Sequence, residues 1–354
     1  MTIPVRRPEG LPDRLGGDDT LVMGVLNVTP DSFSDGGEHD SAPDAIAHGR
    51  RLVAEGAAII DIGGESTRPG APRVPEEEEL RRVIPVVEAL AAEDVVLSVD
   101  TMRASVAAAS IAAGALIVND VSAGQADVRM GAQVAELRTR LGTPPVFIAM
   151  HWRGHSDVMN DLARYEDVAH DSTAELGDRL STLREAGIED RFLVADPGLG
   201  FSKTGEQNWD LLADWDAIAS HGLPVLIGAS RKRFVSALDV DRDAATAAIS
   251  AYSAEHGAWA VRVHEVPSNL AAVRVGDRLR RSRRRLTRTM AARITAPRRR
   301  RSDAWTASRS PASAPGAITA SSPRRRRSAR SSRSTSSCTS RPPRPAAPTS
   351  SPAP

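Results

Sequence analysis

The chain contains very little cysteine: Cys338 is the only one in 354 residues. An intrachain disulfide and a cysteine-based metal site are therefore excluded. The sequence also lacks a run of 18 apolar residues, so it predicts no transmembrane helix. Residues 1–20 hold no apolar stretch like that of a secretory signal peptide. We expect a reducing, cytoplasmic setting and no membrane partner.

Lysine is almost as rare, because Lys203 and Lys232 are the only two against 44 arginines. An ammonium is a compact point donor, whereas a guanidinium is a wide planar fork. Each lysine is thus a candidate for a role that arginine cannot fill, although chance retention explains Lys203 equally well.

Several widespread catalytic motifs are absent as well. The sequence has no P-loop, no G-x-G-x-x-G after its first predicted strand, no G-x-S-x-G and no zinc-binding H-E-x-x-H. These absences argue against the enzyme classes that those motifs define.

Positive charge is concentrated at one end of the chain. Residues 1–276 include 25 basic and 43 acidic residues, whereas residues 277–354 include 21 arginines and two acidic residues. The overall charge of +1 therefore hides two segments of opposite charge. The second segment is mainly Arg, Ser, Pro, Ala and Thr, a composition that predicts disorder. We expect an N-terminal extension over 1–20, a folded domain over 21–276 and a low-complexity tail over 277–354.

Apolar runs that end in polar residues recur eight times in the predicted domain. They cover residues 21–26, 57–60, 95–98, 115–118, 146–149, 192–194, 224–227 and 258–261. Helical periodicity lies between them, for example over residues 76–92, 161–185 and 244–256. Short strands alternating with helices predict a parallel sheet. Eight such units predict a (β/α)8 TIM barrel with its active site at the carboxyl ends of the strands.

Three polar residues follow predicted strands three, four and six, namely Asp100, Asn119 and Asp196. Two carboxylates and an amide that face one pocket can bind a planar heterocycle through its amino and ring N–H groups. Such a pocket is selective, because a wrong ligand leaves buried polar groups unpaired. Helix capping is the alternative role for Asp100.

Cationic and small residues cluster after the last two predicted strands. The segment G-A-S-R-K-R-F, residues 228–234, combines close backbone approach with the start of a helix, which favours anion binding. Arg262 and His264 lie on the same side of strand eight, because side chains alternate along a strand. Arg68, in the glycine-flanked loop 63–71, can hold an anion with two parallel hydrogen bonds. Together these residues predict a site for a diphosphate, although Arg68 alone could be a solvated loop arginine.

Asn27 ends the first predicted strand and begins a long loop with one proline and two glycines. Its amide oxygen suits Mg²⁺, which takes oxygen ligands and keeps waters. The alternative role is a turn cap.

These motifs, taken together, resemble dihydropteroate synthase, the folate-pathway enzyme family that sulfonamides inhibit. The resemblance covers about residues 21–275 and rests on motifs that occur in the family's order. They are M-G-V-L-N-V-T-P-D-S-F-S-D-G-G, D-I-G-G-E-S-T-R-P-G, S-V-D-T, V-N-D-V-S, M-H-W-R-G, D-P-G-L-G-F-S-K-T, G-A-S-R-K-R-F and R-V-H. One departure is V-S-A-G over residues 121–124, where members often have two adjacent glycines.

The resemblance implies a role for each matching residue. The pterin ring would be held by Asp100, Asn119, Asp196 and Lys232, with Met150, Phe201 and Gly228 as walls. Asn27 would contact Mg²⁺ on the diphosphate, and Arg262 and His264 would hold that diphosphate. The p-aminobenzoate site would comprise Ser230, Phe33, Thr67, Arg68 and Pro69. The catalytic residues would be Asp35, Asp100, Lys232 and Arg262.

The implied reaction joins p-aminobenzoate to (7,8-dihydropterin-6-yl)methyl diphosphate, with Mg²⁺ as cofactor, and releases diphosphate. We expect a homodimer. Two other functions stay open: a methyltransferase domain on the same barrel, and an inactive pterin-binding paralogue whose tail binds RNA. The two loops and the anion set Arg68, Arg262 and His264 argue against the methyltransferase. The intact Asn27, Asp35, Arg68 and Lys232 argue against the inactive paralogue.

The arginine-rich tail has no counterpart in the family. It could bind polyanions through phosphate contacts, or have no function. A GC-rich back-translation of residues 304–323, read in a shifted frame, gives V-D-R-I-T-L-T-G-I-R-A-R-G-H-H-G-V-F-A. That peptide resembles the start of dihydroneopterin aldolase, another folate-pathway enzyme. We therefore favour a frame-shifted translation, which sequencing of codons 277–304 can test.

Overall fold

A computed structural model describes residues 5–28, 41–65, 73–155, 158–159 and 161–295. Eight strands occur in this part of the chain, one for each predicted apolar run. They are β1 Leu21–Asn27, β2 Ile59–Gly63, β3 Leu97–Asp100, β4 Ile117–Asp120, β5 Val146–Met150, β6 Leu193–Asp196, β7 Leu226–Ile227 and β8 Ala260–Val263.

The strands form one parallel sheet that closes on itself. Strand β1 pairs with both β2 and β8, and the order around the sheet is β6-β5-β4-β3-β2-β1-β8-β7. The remaining gap is spanned by a parallel bridge between Ala195 and Val225. The predicted (β/α)8 barrel is therefore confirmed.

Side chains alternate between the barrel interior and the surrounding helices, as the period of a strand requires. In β2, Ile59 packs in the interior cluster with Met23 and Ile117, whereas Ile60 packs in the outer cluster against the helices. Asp61, the next residue, returns to the interior side and is fully buried. The interior is thus apolar at its base and polar towards the carboxyl ends.

Ten α-helices are present among the described residues. They are α1 Ser41–Ala54, α2 Glu76–Ala91, α3 Ala104–Ala112, α4 Met130–Glu136, α5 Val168–Glu185, α6 Gly205–Ala213, α7 Trp215–Ile218, α8 Arg233–Ser236, α9 Arg242–His256 and α10 Val266–Thr295. Helix α2 matches its predicted range because four glutamates in its first turn favour the positive end of the helix dipole. Helix α5 begins later than predicted, because the Asp167 side chain accepts from the first backbone N–H groups and caps it there.

Helix α10 crosses the predicted domain boundary at residue 276. Asp277 and Arg280 on this helix are both buried. The Thr20 backbone N–H donates to Asp277 Oδ2 over 3.0 Å, and Arg280 Nη1 donates to Asp18 Oδ1 over 2.9 Å. The change in composition therefore falls inside a helix that is joined to the N-terminal segment. Residues 296–354, with the predicted disorder and polyanion binding, lie outside the described residues.

None of the helices in the described ranges is long and apolar enough to cross a membrane.

Candidate active site

The carboxyl ends of strands β3 to β6 bring four predicted side chains to one rim. Asp100, Met150 and Asp196 are the last residues of β3, β5 and β6, and Asn119 lies one residue before the end of β4. All four side chains are buried. The register pairs Asp100 with Asn119 and Met150 with Asp196. The residues predicted to bind a heterocycle are thus neighbours.

Arg262 connects this rim to strand β8. Its Nε donates to Asp61 Oδ2 over 2.6 Å, and its Nη2 donates to Asp100 Oδ2 over 2.7 Å. Asn119 Nδ2 donates to the same oxygen of Asp61 over 3.1 Å. Arg262, predicted to hold a diphosphate, therefore contacts two carboxylates directly.

Asp61 was not among the residues predicted for the site. The signal was present, because the second apolar run also ends in a carboxylate. Its Oδ1 is buried and has no hydrogen-bond partner within the described part of the chain. Asp61 therefore contacts both Asn119, predicted to bind the heterocycle, and Arg262, predicted to bind the diphosphate. Its Oδ1 can accept a hydrogen bond from a further donor.

Burial makes the carboxylates of this rim unusual acids. It raises the pKa of Asp100 to about 7, against the opposing effect of the Arg262 charge. Burial also raises the pKa of Asp196, which the Lys232 charge opposes. Desolvation penalises the charged form of an acid, so a ligand that donates hydrogen bonds here recovers part of that cost.

Lys232 lies opposite, directly before α8. Its Nζ donates to the backbone carbonyl of Leu199 and lies 4.7 Å from the centre of the Phe201 ring. Burial lowers the pKa of this ammonium to about 8, and the Asp196 carboxylate opposes the shift. A Cβ atom at Gly228 would lie 3.9 Å from Lys232 Nζ and 3.8 Å from the Arg262 Cβ. Glycine therefore leaves open the space between the two cations.

Ser230 and His264 form the next part of the rim. The Oγ of Ser230 lies 3.0 Å from His264 Nδ1 and accepts from the His264 backbone N–H over 3.2 Å. The Ser230 hydroxyl, predicted for the p-aminobenzoate site, is therefore in direct contact with the His264 imidazole, predicted to hold the diphosphate.

A family model described as "Pterin binding enzyme" matches residues 23–264. The chain belongs to this family. The match begins inside β1, covers β2 to β8 in full and ends on His264, so it includes every described residue of the rim.

Relatives of this pterin-binding enzyme are dihydropteroate synthases. The one from Mycobacterium leprae is 47% identical over 265 residues, which cover 72% of this chain and 91% of that protein. The Xanthomonas albilineans dihydropteroate synthase with 4-aminobenzoic acid superimposes with a TM-score of 0.67 at 43% identity and covers 74% of this chain and 93% of its own. A Yersinia pestis dihydropteroate synthase with a sulfonamide drug gives a TM-score of 0.69 at 39% identity, with 77% and 98% coverage.

Five predicted site residues lie outside the described residues: Phe33, Asp35, Thr67, Arg68 and Pro69. The described residues on either side of 66–72 are held together. Glu65 pairs with Arg73 over 2.9 Å and with Arg103 over 2.7 Å, and Arg103 Nη2 donates to the Val74 carbonyl over 2.6 Å. The described ends of the second loop of this pterin-binding enzyme are therefore joined through Glu65 and Arg103.

The departure from the family pattern after β4 has a visible backbone consequence. Ala123 adopts a φ of 49°, in the left-handed region that favours glycine. The loop keeps its shape because Asp120 accepts hydrogen bonds of 2.8 Å from the backbone N–H groups of Ser122 and Gly124. The strain falls beside the pocket and on none of the predicted ligand-binding residues.

Proposed function

We propose that the chain is a dihydropteroate synthase of folate biosynthesis. The reaction joins p-aminobenzoate to (7,8-dihydropterin-6-yl)methyl diphosphate and releases diphosphate. One observation carries the proposal: a buried carboxylate and amide set adjoins the side chains of Arg262 and His264 at one barrel mouth. The first set suits a pterin and the second suits its diphosphate.

The pterin would lie against Asp100, Asn119, Asp196 and Lys232. The carboxylates accept hydrogen bonds from its amino and ring N–H groups, and Lys232 donates to a ring acceptor. Because these groups are buried, water cannot replace the pterin without a loss of pairing. The same carboxylates stabilise positive charge that develops on the methylene carbon when its bond to the diphosphate breaks.

The diphosphate would leave towards strands β7 and β8. Arg262 uses two of its five N–H groups on Asp61 and Asp100, so further donors can face an anion. His264, held by Ser230, lies beside it. The aryl amine of p-aminobenzoate then forms the new carbon–nitrogen bond and loses a proton. No protein nucleophile takes part.

Mg²⁺ is part of the proposal as an ion that arrives with the diphosphate. No group of three or more His, Cys, Asp or Glu side chains suited to a metal occurs in the described ranges. A Cβ atom at Gly63 would lie 3.9 Å from both Asn27 Oδ1 and Asp100 Oδ2, so these two oxygens face one space. A few protein oxygens plus phosphates and waters fit the coordination that Mg²⁺ prefers. When bound, the ion neutralises charge on the leaving diphosphate.

An assay with both substrates and Mg²⁺ tests the proposal by following dihydropteroate and diphosphate. Equal amounts of both products should form, and a sulfonamide should compete with p-aminobenzoate. Asp100→Asn should greatly lower turnover in a folded protein. Pterin binding without product would instead favour the inactive paralogue, and methyl transfer from a methylated folate would favour the methyltransferase.

We also propose that the enzyme is a homodimer. Helix α10 exposes Val275, Leu279 and Leu286, and apolar side chains at such spacing lie along one side of a helix. Light scattering should give twice the monomer mass, and Leu279→Asp should lower it.

A further inference from the structure

A tight turn after β6 forms one side of the candidate pterin pocket. It runs from Gly198 to Phe201, and both Gly198 and Gly200 have positive φ, 69° and 77°. A Cβ atom at Gly198 would lie 2.3 Å from the His151 carbonyl oxygen, and one at Gly200 would lie 2.7 Å from the Lys232 Cδ. The turn is therefore pressed between the end of β5 and the Lys232 side chain.

The only two lysines of the chain donate to carbonyls of this one turn. Lys232 reaches the Leu199 carbonyl from the pocket side. Lys203 reaches the carbonyls of Gly198 and Phe201, over 3.2 Å and 3.3 Å. Lys203 is only 8% exposed, so its three N–H groups depend on protein acceptors.

The third acceptor of Lys203 is His151, whose other ring nitrogen contacts Glu175. Lys203 Nζ lies 2.8 Å from His151 Nδ1, and His151 Nε2 lies 2.9 Å from Glu175 Oε2. Burial lowers the pKa of His151 to about 4, so the ring is neutral at pH 7. Its one N–H faces the Glu175 carboxylate, which leaves Nδ1 as an acceptor for the lysine.

We propose that Lys203 is a positioning residue for the pterin subsite, fixing the 198–201 turn so that the Leu199 carbonyl orients Lys232 and the Phe201 ring forms the pocket wall. The inference rests on the proposed function, because it assigns the subsite to a pterin. Lys203 does not touch the substrate, since it lies on the far side of the turn and bonds to His151.

Arginine is a poor substitute in this place. The ammonium sends single bonds to three acceptors that surround it, whereas a guanidinium directs its donors within one plane. This geometry explains why an arginine-rich chain keeps a lysine here.

The test compares Lys203→Met with Glu206→Gln, an exposed exchange in α6, by calorimetry with the pterin diphosphate at pH 6. This pH lies below the Lys203 pKa of about 7, so the side chain is an ammonium. Methionine fills the space but removes all three donors, so pterin affinity should fall about tenfold. The KM for p-aminobenzoate at saturating pterin should change by less than about twofold. Glu206→Gln changes an exposed carboxylate three residues from Lys203, and it should leave pterin affinity within about twofold. Lys203→Arg should not restore the affinity.

A double-mutant cycle with Lys232→Met separates positioning from a general loss of structure. If Lys203 acts through Lys232, the double variant should bind pterin much more tightly than the product of the two single losses predicts. Independent losses that multiply would overturn the inference. So would Lys203→Met that keeps wild-type pterin affinity, or that weakens both substrates equally.

The proposed function and this inference fail in different ways. Wild-type protein that makes no dihydropteroate defeats the function, whatever the variants do. Wild-type turnover with an unaffected Lys203→Met defeats only the inference. If Lys203→Met does not fold, Lys203→Leu, which also removes every donor, serves in the same cycle, and unchanged pterin affinity in that variant overturns the inference.

Discussion

Single side chains at the barrel mouth form hydrogen bonds with more than one neighbour. Asp61 accepts from both Asn119 and Arg262, and Arg262 also donates to Asp100. Removal of one member therefore leaves a buried partner unpaired, which costs more than the lost bond alone. Changes at these positions should affect ligand binding more than a count of direct ligand contacts suggests.

Lys232→Arg should weaken pterin binding despite the conserved charge. Lys232 Nζ fits between the Leu199 carbonyl and the Phe201 ring, and a wider guanidinium would displace one of them. We expect a loss of roughly tenfold in pterin affinity by calorimetry. Arg242→Lys, an exposed exchange at the start of α9, is the matched control. Unchanged affinity for Lys232→Arg would place Lys232 away from the pterin.

The stability of the enzyme should depend on pH through the titration of Lys203. Burial, together with the Lys232 charge, lowers the pKa of this ammonium to about 7. Above that pH the folded protein binds fewer protons than the unfolded chain, until lysine in the unfolded chain titrates near its ordinary pKa of 10.5. Stability rises with pH where the unfolded state binds more protons. Wild type should therefore gain stability relative to Lys203→Met between about pH 7 and 10.

Thermal unfolding of both proteins across this pH range measures the effect, because other titrations are largely common to the two. The charged groups that act on Lys203 are Arg153, Glu175, Asp196 and Lys232, and its acceptor His151 is neutral across this range. A difference in melting temperature that stays constant with pH would contradict the prediction.

Among the elements, α10 contributes a buried ion cluster at the amino-terminal end of the barrel. Arg280 is fully buried and donates to Asp277 Oδ1 over 2.6 Å and to Asp18 Oδ1 over 2.9 Å. Arg280→Ala leaves Asp277 buried without its cation, which should lower the free energy of unfolding by roughly 3 kcal/mol. Arg278→Ala, exposed on the same helix, should change it by less than about 0.5 kcal/mol. Urea unfolding that gives equal values for both variants would show that the cluster adds no stability.

Two loops carry the predicted p-aminobenzoate residues Phe33, Thr67, Arg68 and Pro69, which lie outside the described residues. Their long, Gly- and Pro-rich sequences predict that the loops become ordered only when contacts with a ligand offset the conformational entropy lost on closure. The affinity for p-aminobenzoate or a sulfonamide should therefore rise about tenfold, roughly 1.4 kcal/mol of coupling, once the pterin site and Mg²⁺-diphosphate are in place. Titrations with and without Mg²⁺-diphosphate measure the coupling, and equal affinities would remove the ordered-loop mechanism.

At the scale of the whole molecule, the folded unit extends past the point where composition changes. Truncation after Thr295 should keep the fold and the activity, because α10 and its ion cluster remain. Truncation after Gly276 removes Asp277 and Arg280 and should strongly destabilise the barrel. Circular dichroism and the two-substrate assay measure both. A stable, active protein ending at Gly276 would refute the importance of the cluster, and loss of activity on truncation after Thr295 would show that the tail is needed.

Much of the fold and the rim was predictable because the signals are local. An apolar run of three to six residues followed by a polar one marks a strand and its carboxyl end, and eight repeats define the barrel. Asp100, Asn119 and Asp196 were found in this way, and the structure brings them together. These inferences need no knowledge of which distant residues meet.

Only the tertiary structure decided which of those polar groups pair. Arg262 bonds to Asp61 across 201 positions, Lys203 to His151 across 52, and Arg280 to Asp18 across 262. A residue's type says what it can bond, but barrel closure decides which partners come within reach. For the same reason composition alone suggested a boundary at residue 276, whereas burial of Asp277 and Arg280 continues the folded helix beyond it.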